Sequence, residues 1–160
     1  MSEYNITAEN LLQKANLACK HRYFIEAQQE YQHFFDFHPT SEQAVRAQFQ
    51  LAMCFFNQIP KNIEWDMTSA ERALGEFQTL ITNYPDDTKY LEGVREKIFI
   101  VRSRLAEKEF KIAMFYLKIR KNPAAARARF QYAVENYDDT EFGKKSAEEI
   151  NKLFMSDYWY

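Results

Sequence analysis

The side chains able to perform catalysis or to hold a metal ion are scattered along this chain. Its three histidines, His21, His33 and His38, lack the i, i+4 spacing that lets two imidazoles on one helix face share a metal ion. Glu107 and Glu109 stand two residues apart, which points them to different faces of a helix. A glycine-rich phosphate loop and a Gly-x-Ser-x-Gly elbow are both absent. We therefore expect no enzyme, no metal site and no cofactor.

The two cysteines, Cys19 and Cys54, stand at unrelated positions. Two such residues do not make the disulfide framework of a small secreted domain, so they leave the redox compartment undecided. Cys19 and His21 form one possible ligand pair without a second pair to complete a zinc site. The sequence indicates a small thiol within an amphipathic helix at Cys19.

A group of basic residues is the most distinctive polar feature of the second half of the chain. Two readings are open for it. It is either a solvated helix surface, or a surface whose Arg127 and Arg129 pair with carboxylates of a partner protein. The group consists of Lys118, Arg120, Lys121, Arg127 and Arg129.

Composition excludes several classes of protein. With 3 Gly and 4 Pro in 160 residues, the chain lacks the frequent tight turns of a sandwich, a barrel or a doubly wound sheet. The formal net charge of −2 gives no electrostatic reason for nucleic-acid binding. No apolar run is long enough to span a membrane, and the first ten residues have no apolar core of a signal peptide. These features argue against a sheet-based fold, a nucleic-acid partner and a membrane span.

Three segments repeat one pattern, in which an alanine stands four residues before an aromatic and apolar residues follow at plus three and plus four. The small alanine lets two helices approach closely, the aromatic fills the space beneath it, and a proline after the segment stops the helix. This is the pattern of the second helix of a tetratricopeptide (TPR) unit. The three anchor pairs are Ala27 and Tyr31, Ala73 and Phe77, and Ala126 and Phe130.

Each second helix needs a first helix before it. Ala8 to about His21 and Ser41 to Asn57 serve the first two units, and Thr40 to Gln43 has the spacing of a capping box. Apolar residues at steps of three and four predict one long central helix over Thr88–Lys118 for the third unit. In the second unit, Thr68-Ser-Ala-Glu71 is expected to cap the helix that follows the loop.

We therefore predict a single all-α domain, 1–160, with a TPR-like α-solenoid fold of about three helix pairs plus a terminal helix. The repeats are placed at about 8–39, 41–86 and 88–138, with an inserted loop at 57–67 and the extra helix at 141–156. The loop carries Ile59, Ile63 and Trp65 and is expected to fold back onto the protein surface.

The chain resembles the BamD family, the TPR lipoproteins of the bacterial outer-membrane β-barrel assembly machine. The resemblance is strongest from about residue 48 to residue 117, and its most specific part is the combination of an Ile-Pro loop with an Arg-x-Arg-Leu-Ala helix. The matching residues are Phe55-Phe-Asn-Gln-Ile-Pro60, Ala73-Leu-x-x-Phe77-x-x-Leu80-Ile-x-x-Tyr84-Pro85, Tyr90, Arg102-x-Arg104-Leu-Ala-x-x-Glu109 and Ala113-x-x-Tyr116.

The resemblance implies a periplasmic protein tethered to the outer membrane through a lipid anchor that this sequence does not contain. Its partners would be the BamA periplasmic domains and unfolded β-barrel precursors, recognised through their C-terminal segments. Arg129, with Arg127, is carried over as a BamA-facing residue. The alternative is a generic TPR adaptor of the cell envelope or cytoplasm that binds another peptide or protein.

TPR geometry predicts which residues of the first helices face a peptide groove. An aromatic-rich groove suits an extended peptide that ends in an aromatic residue. For Phe49 and Phe56, ordinary packing between helices is an equally good reading. The predicted groove residues are Leu12, Asn16, Phe49, Met53 and Phe56.

Overall fold

The computed structural model describes residues 7–157, and every regular element within that range is an α-helix. The helices are α1 (Ala8–Lys20), α2 (Phe24–Phe37), α3 (Ala44–Phe56), α4 (Thr68–Asn83), α5 (Thr88–Leu91), α6 (Val94–Lys118), α7 (Pro123–Tyr137) and α8 (Glu141–Asp157). The predicted all-α, TPR-like fold is confirmed. Between residues 7 and 157, no helix is both long enough and apolar enough to cross a bilayer.

The chain forms two compact units. Unit 1 comprises the residues up to Ile59 together with Ser69–Arg95, and unit 2 comprises Pro60–Thr68 together with the residues from Glu96 onward. The division of the chain into three repeats remains a prediction, and each unit is described below by itself.

The repeated anchor residues are buried as predicted. The three alanines have no exposed surface, and neither do Phe77 and Phe130, while Tyr31 is 1% exposed. The apolar residue at plus three is also fully buried in each case, at Phe34, Leu80 and Ala133. The residue at plus four is only partly buried each time. The pattern therefore specifies how α2, α4 and α7 face their neighbours, because removing an aromatic anchor would leave a cavity in a close-packed core.

The first helix pair of unit 1 is closed by a tight turn after α1. The amide N–H of Tyr23 donates to the carbonyl oxygen of Ala18 at 2.9 Å, and that of Arg22 donates to the carbonyl of Cys19 at 3.0 Å. This is the hydrogen-bonding pattern of a Schellman motif. Arg22 takes the left-handed position of that motif, with φ at 66°, where glycine is usually found. The turn sends the chain directly into α2.

One predicted helix start is wrong, and one predicted capping residue has a different role. The helix after Pro39 begins at Ala44 rather than Ser41, and its N-cap Gln43 makes no side-chain capping bond. Before α4, Oδ1 of Asp66 accepts from the amide and the hydroxyl of Thr68. Thr68 is therefore the first residue of α4 instead of the residue that caps it. In both places a nearby turn residue competes for the backbone amides that a capping box would satisfy.

The long central helix starts later than predicted. A short helix, α5, ends at Leu91, and α6 begins at Val94. Between them Gly93 has φ at 73°, a left-handed conformation that interrupts the helix and that glycine adopts at little cost. The remaining helix of 25 residues is about 37 Å long at the usual rise per residue.

In unit 2, α6, α7 and α8 share a small apolar core. Its buried residues are Ala113, Ala126, Phe130 and Ile150. At the start of α8, the hydroxyl of Thr140 donates to the carbonyl of Tyr137 at 2.7 Å and accepts from the amide of Gly143 at 3.1 Å. A side chain on Gly143 would collide with the carbonyl group of Tyr137. A glycine is thus required where the backbone of the α7–α8 turn comes closest to α8.

Candidate functional site

The candidate site is a solvent-open cavity of about 490 Å³ in unit 1. It lies between the parallel helices α1 and α3, beside the start of α2. Two of the predicted groove residues, Asn16 and Met53, line it. The lining residues are Asn16, Cys19, Lys20, Arg22, Phe24, Tyr31, Gln50, Met53, Cys54 and Asn57. The lining combines amides, two cations and apolar side chains, so it can hydrogen-bond a polar chain and bury an apolar group.

A buried tyrosine fixes two of the amide side chains that line the cavity. The hydroxyl of Tyr31 donates to Oδ1 of Asn16 at 2.5 Å, and Nδ2 of Asn16 donates to Oε1 of Gln50 at 3.1 Å. Burial raises the pKa of Tyr31 well above its usual value, against a smaller opposite effect of Arg46. Tyr31 therefore stays protonated and keeps donating over the whole physiological pH range.

The amide of Gln50 keeps donors for a ligand. Its oxygen accepts from Asn16, while within residues 7–157 its Nε2 donates to no protein group. Side-chain amides in this arrangement can bond the backbone of an extended peptide, because each offers both a donor and an acceptor. Lys20 and Arg22 are both exposed. They place positive charge at the cavity, which favours a negatively charged ligand group.

Three predicted groove residues lie elsewhere. Leu12 has no exposed surface and belongs to the core, so it offers nothing to a ligand. Phe49 packs beside Tyr90 with ring centroids 5.5 Å apart, and Phe56 packs beside Phe77 at 6.0 Å. Both phenylalanines make these packing contacts but are only partly buried, so their assignment to a peptide groove stays a prediction. The contacts follow from the rotation of α3, whose buried side is formed by Ala47, Leu51, Ala52, Cys54 and Phe55.

The two cysteines are joined in the structure. Cys19 on α1 and Cys54 on α3 form a disulfide with their Cα atoms 5.9 Å apart, although the sequence did not pair them. The pairing becomes evident only once the hydrogen bond between Asn16 and Gln50 is known. Cys19 follows Asn16 by three residues and Cys54 follows Gln50 by four, so each cysteine shares a helix face with one member of the bonded amide pair.

The two arginines proposed to face a partner already have contacts inside unit 2. Nη1 of Arg129 lies 3.2 Å from Oε2 of Glu109, and about half of the Arg129 side chain remains exposed. The guanidinium of Arg127 lies 4.9 Å from the centre of the Phe154 ring. Both side chains are thus held in place, and Arg129 presents its cation at the surface between α6 and α7.

The Arg-x-Arg pair of α6 has a structural role that the sequence did not reveal. Nη2 of Arg104 donates to the carbonyl oxygens of Pro60 and Lys61, at 2.5 and 2.6 Å. Nζ of Lys108 donates to the carbonyl of Trp65 at 2.7 Å. Arg102 instead pairs with the carboxylate of Asp139. The Ile-Pro loop therefore folds back onto α6, as predicted, through its backbone carbonyls.

The side chains of that loop divide between core and solvent. Ile63 is buried, whereas Trp65 is 65% exposed, which the sequence did not predict. Beside the loop, a second cavity of about 390 Å³ is lined mainly by apolar groups, among them Ile63, Ile112 and Phe115. Within residues 7–157, no group of three or more acidic, histidine or cysteine side chains is arranged to hold a metal ion.

Comparison with known proteins gives consistent matches. The profile of a family described as an outer membrane lipoprotein, YfiO, matches residues 2–153. The chain is 34% identical over 107 residues to the outer membrane protein assembly factor BamD of Rickettsia prowazekii. The aligned residues cover 67% of this chain and 41% of that protein. It is 32% identical over 117 residues to BamD of Caulobacter vibrioides, covering 73% of this chain and 37% of that protein. The chain thus spans about two fifths of the length of these curated relatives.

Proposed function

The chain belongs to the BamD (YfiO) family of outer membrane lipoproteins, and from this premise we propose that it is a non-catalytic scaffold for outer-membrane β-barrel assembly. The relatives are named as assembly factors, which agrees with the prediction that this chain is not an enzyme. In this proposal, unit 1 binds the C-terminal segments of unfolded β-barrel precursors, and unit 2 binds a BamA-like periplasmic domain. The place of action is the periplasmic face of the outer membrane.

The observation that carries the proposal is the lining of the unit 1 cavity. Gln50 offers amide donors for the backbone of an extended segment, while Met53 and Phe24 offer apolar surface for an aromatic side chain. Lys20 and Arg22 supply positive charge for a terminal carboxylate. An extended peptide with an aromatic C-terminal residue fits these three features together.

A binding titration tests the unit 1 proposal. A fluorescent peptide with the C-terminal sequence of a β-barrel precursor should bind the chain, and amidation of its terminal carboxylate should weaken binding. The variant Met53→Ala should weaken it by about five- to twentyfold, the value of one partly buried apolar contact. Gln13→Ala, on the exposed side of α1, is the matched control and should bind like the parent. Equal affinity of both variants would contradict the proposed site, and binding of unrelated peptides with equal strength would favour a generic adaptor.

A charge reversal tests the unit 2 proposal. Arg129→Glu should abolish capture of a BamA periplasmic fragment, because the new carboxylate would repel both Glu109 and acidic groups of the partner. Lys144→Glu makes the same change of charge at an exposed position on α8, so it is the matched control and should capture the fragment like the parent. Circular dichroism of Arg129→Glu must match that of the parent for the result to count. Capture of the fragment by Arg129→Glu at parental strength would refute this assignment.

A further inference from the structure

The Cys19–Cys54 disulfide lies in the wall of the cavity. Cys19, in the last turn of α1, is partly exposed, whereas Cys54 is 3% exposed. Both residues line the cavity, which is open to solvent. Reagents can therefore reach the bond from the cavity, and Cys19 is the more accessible of its two residues.

Along α1 and α3, the disulfide comes after two polar links between the helices. Near the start of the two helices, Arg46 lies 3.6 Å from the carboxylate of Glu9. In the middle, Asn16 donates to Gln50. The first link is exposed and weak, and the second is one neutral hydrogen bond. The covalent bond is thus the strongest constraint on the spacing of the two helices at the cavity.

The surroundings of the bond favour attack by a thiolate. Lys20 follows Cys19 directly, and Arg22 lines the same cavity. Within the described lining of the cavity there is no carboxylate side chain. An incoming thiolate is therefore attracted by two cations and meets no nearby negative charge from the lining.

We propose that Cys19 and Cys54 are a redox site that exchanges electrons with the dithiol centre of a thiol oxidoreductase, and that its oxidised form holds the cavity in its binding geometry. In reduction, a thiolate of the reagent attacks Sγ of Cys19, the S–S bond breaks, and Cys54 leaves as a thiolate that takes up a proton. The second thiolate of the reagent then attacks the reagent sulfur that is bonded to Cys19, and Cys19 leaves as a thiolate that takes up a proton. The balance is two protein thiols and one reagent disulfide, and oxidation is the reverse.

The effect on binding rests on the proposed function of unit 1. Asn16 and Gln50 sit one helical turn before the two cysteines, so loosening the bond lets the helices move apart where the amides meet. A ligand must then order these side chains on binding. The expected loss of peptide affinity is about five- to tenfold, which corresponds to the entropy cost of ordering one or two side chains on binding.

Alkylation under native conditions tests the redox site without any ligand. The full chain is oxidised with the disulfide form of dithiothreitol, and iodoacetamide is then added before or after treatment with dithiothreitol. We expect no alkylation before reduction, a Cys19–Cys54 cross-linked peptide in the digest, and alkylation of both cysteines after reduction. Alkylation of both residues before reduction would overturn the proposal. So would a bond that dithiothreitol reduces only after denaturation, because such a bond is a closed structural link.

Peptide titration of the same samples tests the coupling. The oxidised chain should bind more tightly than the reduced chain, and the double variant Cys19→Ser with Cys54→Ser should bind like the reduced chain in both conditions. Equal affinity of oxidised and reduced parent would overturn the coupling while the proposed function stands. Binding in neither state would contradict the proposed function and the coupling, and the alkylation pattern would still decide the redox site.

Discussion

Removing the guanidinium of Arg104 should release the Ile-Pro loop from α6. Its Nη2 holds the carbonyl oxygens of Pro60 and Lys61, and Arg104 itself is partly buried. Hydrogen bonds to charged groups contribute about 1.5–3 kcal/mol each. The two bonds are not additive, because they share one nitrogen and because water can donate to the exposed carbonyl once the guanidinium is gone. We therefore expect Arg104→Ala to lower the free energy of unfolding by about 1–3 kcal/mol in total. For a chain of this size, the melting temperature should fall by about 3–10 °C.

Hydrogen exchange locates the effect. In Arg104→Ala the amides from Lys61 to Met67 should exchange faster, while those in the core of α7 should change much less. Arg104→Lys should lie between the parent and alanine, because an ammonium group cannot reproduce the planar fork of a guanidinium. Arg95→Ala, an exposed position on the same helix, is the matched control and should leave stability within about 0.5 kcal/mol. A loop whose exchange in Arg104→Ala equals that of the control would refute the assigned role.

Three further predictions concern stability. Gly143→Ala should destabilise the chain by about 1–3 kcal/mol in denaturant unfolding, because its methyl group would collide with the carbonyl of Tyr137, whereas Gly75→Ala, where nothing lies within 4 Å, should be neutral or stabilising. Phe77→Ala should cost about 3–5 kcal/mol, since this anchor ring has no exposed surface, and a loss below 1 kcal/mol would show that the repeat pattern does not define the core. The hydrogen bonds from Thr68 to Asp66 hold the pKa of Asp66 below its usual value, so its contribution is present above the unfolded-state pKa and is lost as the pH falls through the folded-state pKa. The stability difference between the parent and Asp66→Asn, measured at neutral pH, should therefore shrink in acid, and a difference that grows instead would contradict the sign.

The helices could be predicted where one physical requirement dominates the local sequence. The alanine and aromatic anchors of α2, α4 and α7 are such a case, because close helix packing admits few other residues at those positions. The start of α3 was not predictable in this way. Thr40 has the capping position of the predicted box, yet in the structure Oγ of Ser41 accepts from the amide of Gln43 at 3.1 Å. Both uses satisfy the same kind of donor, so local sequence does not choose between them.

The break in the long helix illustrates the same limit. Leu91 and Val94 are three residues apart, so the apolar pattern continues across the interruption. The left-handed turn is visible only in the backbone conformation of Gly93. Because a single glycine inside a helical pattern is often tolerated, the sequence does not predict this break.

The candidate site could be predicted only in part, since it depends on rotation about helix axes and on contacts distant in sequence. Asn16 and Met53 line the cavity, but a rotation of α3 places Phe49 and Phe56 in packing contacts. The partners of Tyr31, Cys19 and Arg104 lie 15, 35 and 44 residues away, respectively. Periodicity indicates which face of a helix is apolar and carries no information on such pairings.

The central claim is that the unit 1 cavity receives an extended polypeptide segment, and site-directed photo-cross-linking tests it most directly. A photoreactive benzophenone side chain replaces either Met53, in the cavity, or Gln13, on the exposed side of α1. With a precursor C-terminal peptide present, position 53 should cross-link to it, position 13 should not, and unlabelled peptide should suppress the product. Equal cross-linking at both positions, or a product at position 53 that excess unlabelled peptide leaves unchanged, would contradict the claim.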